Sequence, residues 1–205
     1  MGRTILRLLI LTIVFSLTGC AVRYKRISPT ILDYDSHNLK NGISIAYKFD
    51  VLKIRGNQRY ARKARKKNVK LIAVKITNNT DSIINIGKQA AFFSGENLVQ
   101  PMEPLDTKET IKQSGAVYLP YFLLSFLRLY TSDGNSVKSY PIGLAIGPAL
   151  AVGNMSIAGS ANKKLFNELN DFNILRRDIK QGETVYGIIG VRSMPYGEFS
   201  LKLIK

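Results

Sequence analysis

The segment 184–192 reads TVYGIIGVR, apolar at odd and even positions alike. A strand open to water on one side alternates apolar with polar residues, so this run belongs in the middle of a sheet. Gly187 and Gly190 within it point to a close backbone approach or a bulge. Its expected neighbours do alternate. Ile43, Ile45, Tyr47, Phe49 and Val51 keep a period of two, and Ile72, Val74 and Ile76 share one face of 69–77. Phe199, Leu201 and Leu203 repeat the pattern near the C-terminus, and shorter runs lie at 83–86, 91–93 and 98–100. The cluster Asn78-Asn79-Thr80-Asp81 is a turn. Six or seven strands of this kind predict a mainly β chain: an immunoglobulin-like antiparallel β-sandwich over 42–205. The chain has no tryptophan and one cysteine, so the Cys…Trp…Cys signature is missing and the analogy is architectural only.

The middle breaks the period of two. Segments 118–130 (YLPYFLLSFLRLY) and 141–161 (PIGLAIGPALAVGNMSIAGSA) are apolar, with a polar turn at 131–139. Leu165 and Leu169, four apart, then place 160–170 on an amphipathic helix. Together they predict a helical, glycine-rich hairpin inserted at about 118–170. Its apolar contact surface would be Tyr121, Phe122, Leu124, Phe126, Leu144, Ile146 and Leu150. Gly143 and Gly147 have the small-residue spacing of packed membrane helices, whereas Pro141, Pro148 and Asn154 weigh against a spanning helix. Burial against the sandwich, contact with lipid or a partner, and a membrane span all remain open.

The formal net charge is +16, which favours anionic partners. Ten lysines and arginines and no acid lie between Asp50 and Asp81, densest at 55–67 (RGNQRYARKARKK). Arg59, Arg62, Lys63 and Lys66 recur at helical spacing. With Arg55, Arg65 and Lys67 they form either an anion-facing patch or a solvated loop. Near an anionic membrane each such residue contributes ~1 kcal/mol. Nucleic acid is not an expected partner, because Tyr60 is the one aromatic interleaved with these cations.

Arg3 and Arg7 give a basic start, LLILTIVFSL at 8–17 follows without a charge, and Thr18 and Gly19 precede Cys20. That is a secretory signal layout, too short for the ~20 residues of a permanent span. The residues Leu17-Thr18-Gly19-Cys20 resemble the lipobox of bacterial lipoproteins. The resemblance implies cleavage between Gly19 and Cys20 and acylation of Cys20, with residues 1–19 a signal peptide and 20–41 a lipidated tether ending at the turn Asn41-Gly42. Two or more acyl chains anchor stably where one does not. It also implies a bilayer as partner, in an outer membrane facing the periplasm if the cell has two, since Ala21 stands where aspartate would signal retention.

Catalysis finds little in the residues. Ser160-Ala161-Asn162-Lys163 fits S-x-x-K, but chance alone predicts about one match in a chain of this composition, and no K-T-G or S-D-N accompanies it. His37 lies in the tether and Cys20 would be acylated, which removes the usual base and thiol. Glu183 and Glu198 are carboxylates a fold might pair. One cysteine and one histidine leave little for a metal site, and no cofactor is expected. The expected function is therefore a non-catalytic, membrane-anchored binding or assembly module of the cell envelope, with an envelope protein or acidic glycopolymer as partner. The alternatives are an envelope glycopolymer hydrolase or transferase using carboxylates, and a structural spacer.

Overall fold

The computed structural model describes residues 20–204 apart from positions 35, 41, 135 and 195. The expected signal peptide, with Gly19, lies outside them. The chain is a mixture of helix and strand, 38 % and 31 %, with several antiparallel sheets, none closed. The helical share corrects the mainly β expectation. Two compact units emerge from the contacts: residues 20–23 with Gln113–Ala161, and Tyr24–Lys112 with Asn162–Lys205.

The larger unit is built on five antiparallel strands: β1 (Ser36–Lys40), β2 (Ile43–Lys48), β3 (Val69–Asn78), β7 (Pro101–Met102) and β11 (Thr184–Arg192). Their order is β1-β2-β3-β11-β7, so the doubly apolar strand is indeed interior. A second sheet places β5 (Ala90–Ser94) between β6 (Asn97–Val99) and β12 (Phe199–Leu203), and β4 (Ile84–Asn85) pairs with β10 (Asp178–Ile179). Ile43, Ile45 and Tyr47 of β2, Ile72, Val74 and Ile76 of β3, and Val185, Ile189 and Val191 of β11 form one buried cluster with Phe92 and Phe199 of the second sheet. The Phe92 and Phe199 rings stack at 5.4 Å, and Tyr47 meets Phe199 edge-on at 5.6 Å. The period-two residues therefore do face a shared core.

Both glycines of β11 mark close approach rather than a bulge, for β11 pairs with β3 without interruption from Thr184 to Arg192. A Cβ on Gly187 would lie 2.5 Å from Ile174 Cγ2. On Gly190 it would lie 2.4 Å from Thr107 Oγ1, in helix α4 (Pro104–Ile111). That helix had no periodic signal. Its readable mark was proline at the first turn, followed by Asp106.

Short helices interrupt two expected strands. Val51 does not continue β2: Asp50 takes a left-handed conformation, φ 54°, and Val51–Ile54 is helix α1. Ile86 likewise opens α3 (Ile86–Gln89). The basic segment contains α2 (Gln58–Lys66). The stretch read as a tether also packs. Tyr24, Ile27 and Pro29 are buried, and β1 pairs with β2 from Ser36↔Tyr47 to Lys40↔Ile43. Irregular spacing hid these apolar residues from any periodicity test.

Glu168 fastens that stretch. It lies on α5 (Gly143–Asp171), the longest helix, and its side chain is 2 % exposed. Its carboxylate accepts from the Tyr24 hydroxyl at 2.6 Å, the Ile27 N–H at 3.0 Å and the Ser28 N–H at 2.8 Å. Burial, then this hydrogen bond, pushes the Tyr24 hydroxyl well above its ordinary value of 10.0. Asn57 secures Lys25 beside it, accepting from its N–H at 2.9 Å and donating to its carbonyl at 2.7 Å.

Candidate functional site

The smaller unit contains the predicted insert. Gly115–Phe126 is a 3-10 helix, and α5 supplies its residues up to Ala161. Between them the expected polar turn is a β-hairpin, β8 (Leu129–Ser132) with β9 (Val137–Tyr140), paired from Leu129↔Tyr140 to Ser132↔Val137. Along the part of α5 up to Ala161 the buried positions are Gly143, Gly147, Ala151, Asn154, Ala158 and Ala161, a narrow stripe of mostly small residues at steps of three and four. The glycines let backbone meet backbone. The Gly143 N–H donates to the Leu127 carbonyl at 3.0 Å. A Cβ there would sit 2.1 Å from the Leu124 oxygen, and on Gly147 it would sit 2.6 Å from Ser125 Oγ. The small-residue spacing thus serves a contact inside the unit.

What the stripe does not cover is apolar. Of the seven expected contact residues, Phe122, Phe126, Leu144 and Ile146 are exposed, Phe126 by 82 %, while Tyr121, Leu124 and Leu150 are half-buried. Tyr121 stacks on the buried Tyr118 at 6.3 Å. The same reading missed Leu123, Tyr130 and Val137, exposed by 64–70 %. Fifteen of the 24 large hydrophobic side chains exposed among the described residues fall between Val117 and Met155. Arg128, Asp133 and Lys138 are the only charged residues in 113–161. Large exposed apolar patches are uncommon on monomeric soluble proteins. α5 is also long and apolar enough to cross a membrane by length and composition, and 28 % of its most apolar window is buried.

Cys20 belongs to this unit and is exposed. The Ala21 N–H donates to Asn154 Oδ1 at 2.7 Å, and Asn154 returns a bond to the Leu150 carbonyl at 2.8 Å. Gln113 holds Val22 at both backbone groups, accepting from its N–H at 3.1 Å and donating to its oxygen at 2.7 Å. Consecutive Cα atoms are ~3.8 Å apart, so Cys20 is fixed within a residue of α5. Asn154, which weighed against a spanning helix, is the residue that receives the chain after the cysteine. No sequence signal ties Asn154 or Gln113 to Ala21 and Val22, more than ninety positions away.

The basic residues separate into two groups. On α2, Tyr60 and Ala64 are buried, with the Tyr60 ring edge-on to Tyr24 at 5.6 Å. Arg62, Arg65, Lys66 and Lys67 are exposed; Arg55, Arg59 and Lys63 are half-buried. Arg55 donates to the Arg26 carbonyl at 2.9 Å, and the Lys63 ammonium to the Lys112 carbonyl. Burial, then the charges of Lys112 and Lys67, lowers the Lys63 pKa. Arg55 and Lys63 are therefore used within the fold, while Arg62 and Arg65 border an open groove.

The carboxylates considered for catalysis have other partners. Glu183 accepts from the Lys180 N–H at 2.9 Å and from Arg177 at 3.0 Å, and these donors, the amide foremost, lower its pKa. Glu198 accepts from Asn38 at 2.6 Å. His37 is exposed on β1, and Ser160 and Lys163 are exposed on α5. Asp106 and Glu109 of α4 do line one hollow of about 750 Å³. Hydrogen bonds from Lys108 and Lys112 hold Glu109 down at about 2, which suits it poorly to giving or taking a proton near neutrality. Comparison with family models, with curated proteins and with solved structures finds no match for this chain.

Proposed function

We propose that this chain is an envelope lipoprotein, acylated at Cys20, that acts without catalysis as a membrane-held binding or assembly module. The observation carrying the reading is the pair of contacts that pins residues 21 and 22 to Asn154 and Gln113, within the unit that exposes the apolar insert. Acyl chains on Cys20 would hold this unit at the bilayer, and the exposed Leu123, Phe126 and Leu144 of the same unit are the side chains proposed to meet that leaflet. Each such side chain that leaves water contributes ~1.5–3 kcal/mol, enough to fix an orientation that acyl chains alone leave free. Contact at the leaflet suits this unit better than a span, because the hairpin exposes Leu129, Tyr130, Val137 and Tyr140 with Arg128 and Lys138 among them. The sandwich reading of the larger unit, of immunoglobulin-like kind, is part of the same proposal, supported by the core that both sheets share.

Two measurements test it. The intact mass of the membrane-extracted protein should show a chain starting at residue 20 and heavier by its acyl groups; an unmodified chain removes the lipoprotein reading. Chain 20–205 made without acyl groups should float with phosphatidylglycerol vesicles through a high-salt wash. Leu123→Glu, Phe126→Glu and Leu144→Glu together should release it. Equal flotation of both would refute the insert as the lipid contact.

A further inference from the structure

The larger unit carries a groove of about 900 Å³ that the anchor does not explain. One wall is α2, contributing Arg62 and Arg65. Lys53 of α1 and Lys70 of β3 complete four cations against one carboxylate, Asp50. Among the described residues no carboxylate pairs with Lys53, Arg62 or Arg65, and all three are exposed. Asp50 is itself occupied: Tyr196 donates its hydroxyl to Asp50 Oδ1 at 2.9 Å. The Lys70 ammonium lies 3.3 Å over the Tyr196 ring and 5.9 Å from that of Phe49. It is fixed there rather than free in solvent, and burial lowers its pKa.

Backbone geometry marks the same place. Four non-glycine residues in the described chain have positive φ: Ser28, Asp50, Asn68 and Ser193. The last three line this groove, at 54°, 52° and 55°. The Ser193 N–H donates to the Asn68 carbonyl at 2.7 Å, tying two of them together. Left-handed backbone at a serine is costly, and such residues gather where a particular surface shape is needed. A second hollow of about 450 Å³ shares Asp50, Lys53 and Gln58 with the first, so the depression is elongated.

We infer that this groove binds a phosphate-bearing ligand, with Arg62 and Arg65 as paired guanidinium clamps and Lys53 and Lys70 completing its charge. Guanidinium forks match the oxygens of a phosphoryl group in bidentate fashion, which uncompensated arginines on one helix face are placed to do. The apolar floor, Leu52, Leu71 and Met194, gives room for the carbon skeleton carrying the phosphate. The same chemistry is offered by a phosphorylated envelope saccharide and by a phospholipid headgroup. The inference goes beyond the anchor reading and does not depend on it.

The test is calorimetric titration of the detergent-solubilised full chain with glucose 1,6-bisphosphate, glycerol 3-phosphate and, as neutral control, glucose. At low salt at least one phosphate ester should bind at sub-millimolar Kd while glucose does not. The ester that binds more tightly identifies the source, saccharide or headgroup. Arg62→Gln with Arg65→Gln should weaken binding tenfold or more, whereas Arg176→Gln, on an exposed arginine outside the groove, should leave it unchanged. Thermal unfolding of each variant checks that the fold is intact. Absence of binding by both esters, or equal affinity in the groove variant, would overturn the assignment.

Discussion

Replacing Glu168 by alanine tests whether the chain after the cysteine is fastened or hangs free. The carboxylate takes three hydrogen bonds, from the Tyr24 hydroxyl and the Ile27 and Ser28 amides. Arg26 approaches only to 3.9 Å and is 68 % exposed, so that pair adds little. In Glu168→Ala the phenol of Tyr24, 7 % exposed, and the amide of Ile27, fully buried, lose their acceptor. Each buried donor left unsatisfied costs ~1–3 kcal/mol, so the phenol and the Ile27 amide together should cost about 4 kcal/mol. With a urea slope of ~2 kcal/mol/M, the unfolding midpoint should drop by roughly 2 M at unchanged slope. Glu168→Gln keeps the volume and one acceptor, and should lose about half as much. Trypsin should cut faster at Lys25 and Arg26 in the alanine variant. A loss below ~1 kcal/mol with unchanged proteolysis would refute the reasoning, since a solvated tether predicts that result.

Two further outcomes follow from other parts of the molecule. Gly147→Leu drives a side chain into Ser125 and the Tyr121 carbonyl; overpacking of this kind costs ~1–3 kcal/mol, and tryptic cleavage at Arg128 and Lys138 should rise roughly tenfold. Gly153→Leu, whose Cβ meets nothing within 4 Å, should leave it unchanged. Burial raises the Tyr24 and Tyr34 hydroxyls above 10.0, so above pH 10 the folded state holds protons that the unfolded state has released. Stability should then fall as pH rises past 10, and the fall should be shallower in Tyr24→Phe, read as urea midpoints from pH 8 to 11.

The difference between what was legible and what was not has a physical basis. Period two is a local property, so β2, β3 and β12 could be found from Ile43, Val74 and Leu201 without any long-range knowledge, and β11 from its unbroken apolar run. Gly187 and Gly190 announced by their type a close approach or a bulge; that it is approach, and to Ile174 and Thr107, depended on the fold. The insert was legible as an apolar break, and the uncharged length of 141–161 marked its helix. Its hairpin was read as a polar turn because Thr131 to Ser139 carries serines, an aspartate and a glycine, while the strands are held by backbone bonds that composition does not record. The basic helix was visible by spacing, but Lys53, Lys70 and Tyr196 join Arg62 and Arg65 from other elements.

By itself the sequence determined the local terms: the strands with their inward faces, the apolar break between them, the density of positive charge and the single cysteine behind an apolar run. These rest on residue type and on neighbours within a few positions. Tertiary structure alone decided the pairings between distant polar groups. Asn154 with Ala21, Gln113 with Val22 and Glu168 with Tyr24 join positions 91 to 144 residues apart. A hydrogen bond of that range leaves no period and no compositional trace, because either partner alone reads as an ordinary polar residue. It forms only once the fold brings the two together out of water, where each would otherwise go unsatisfied.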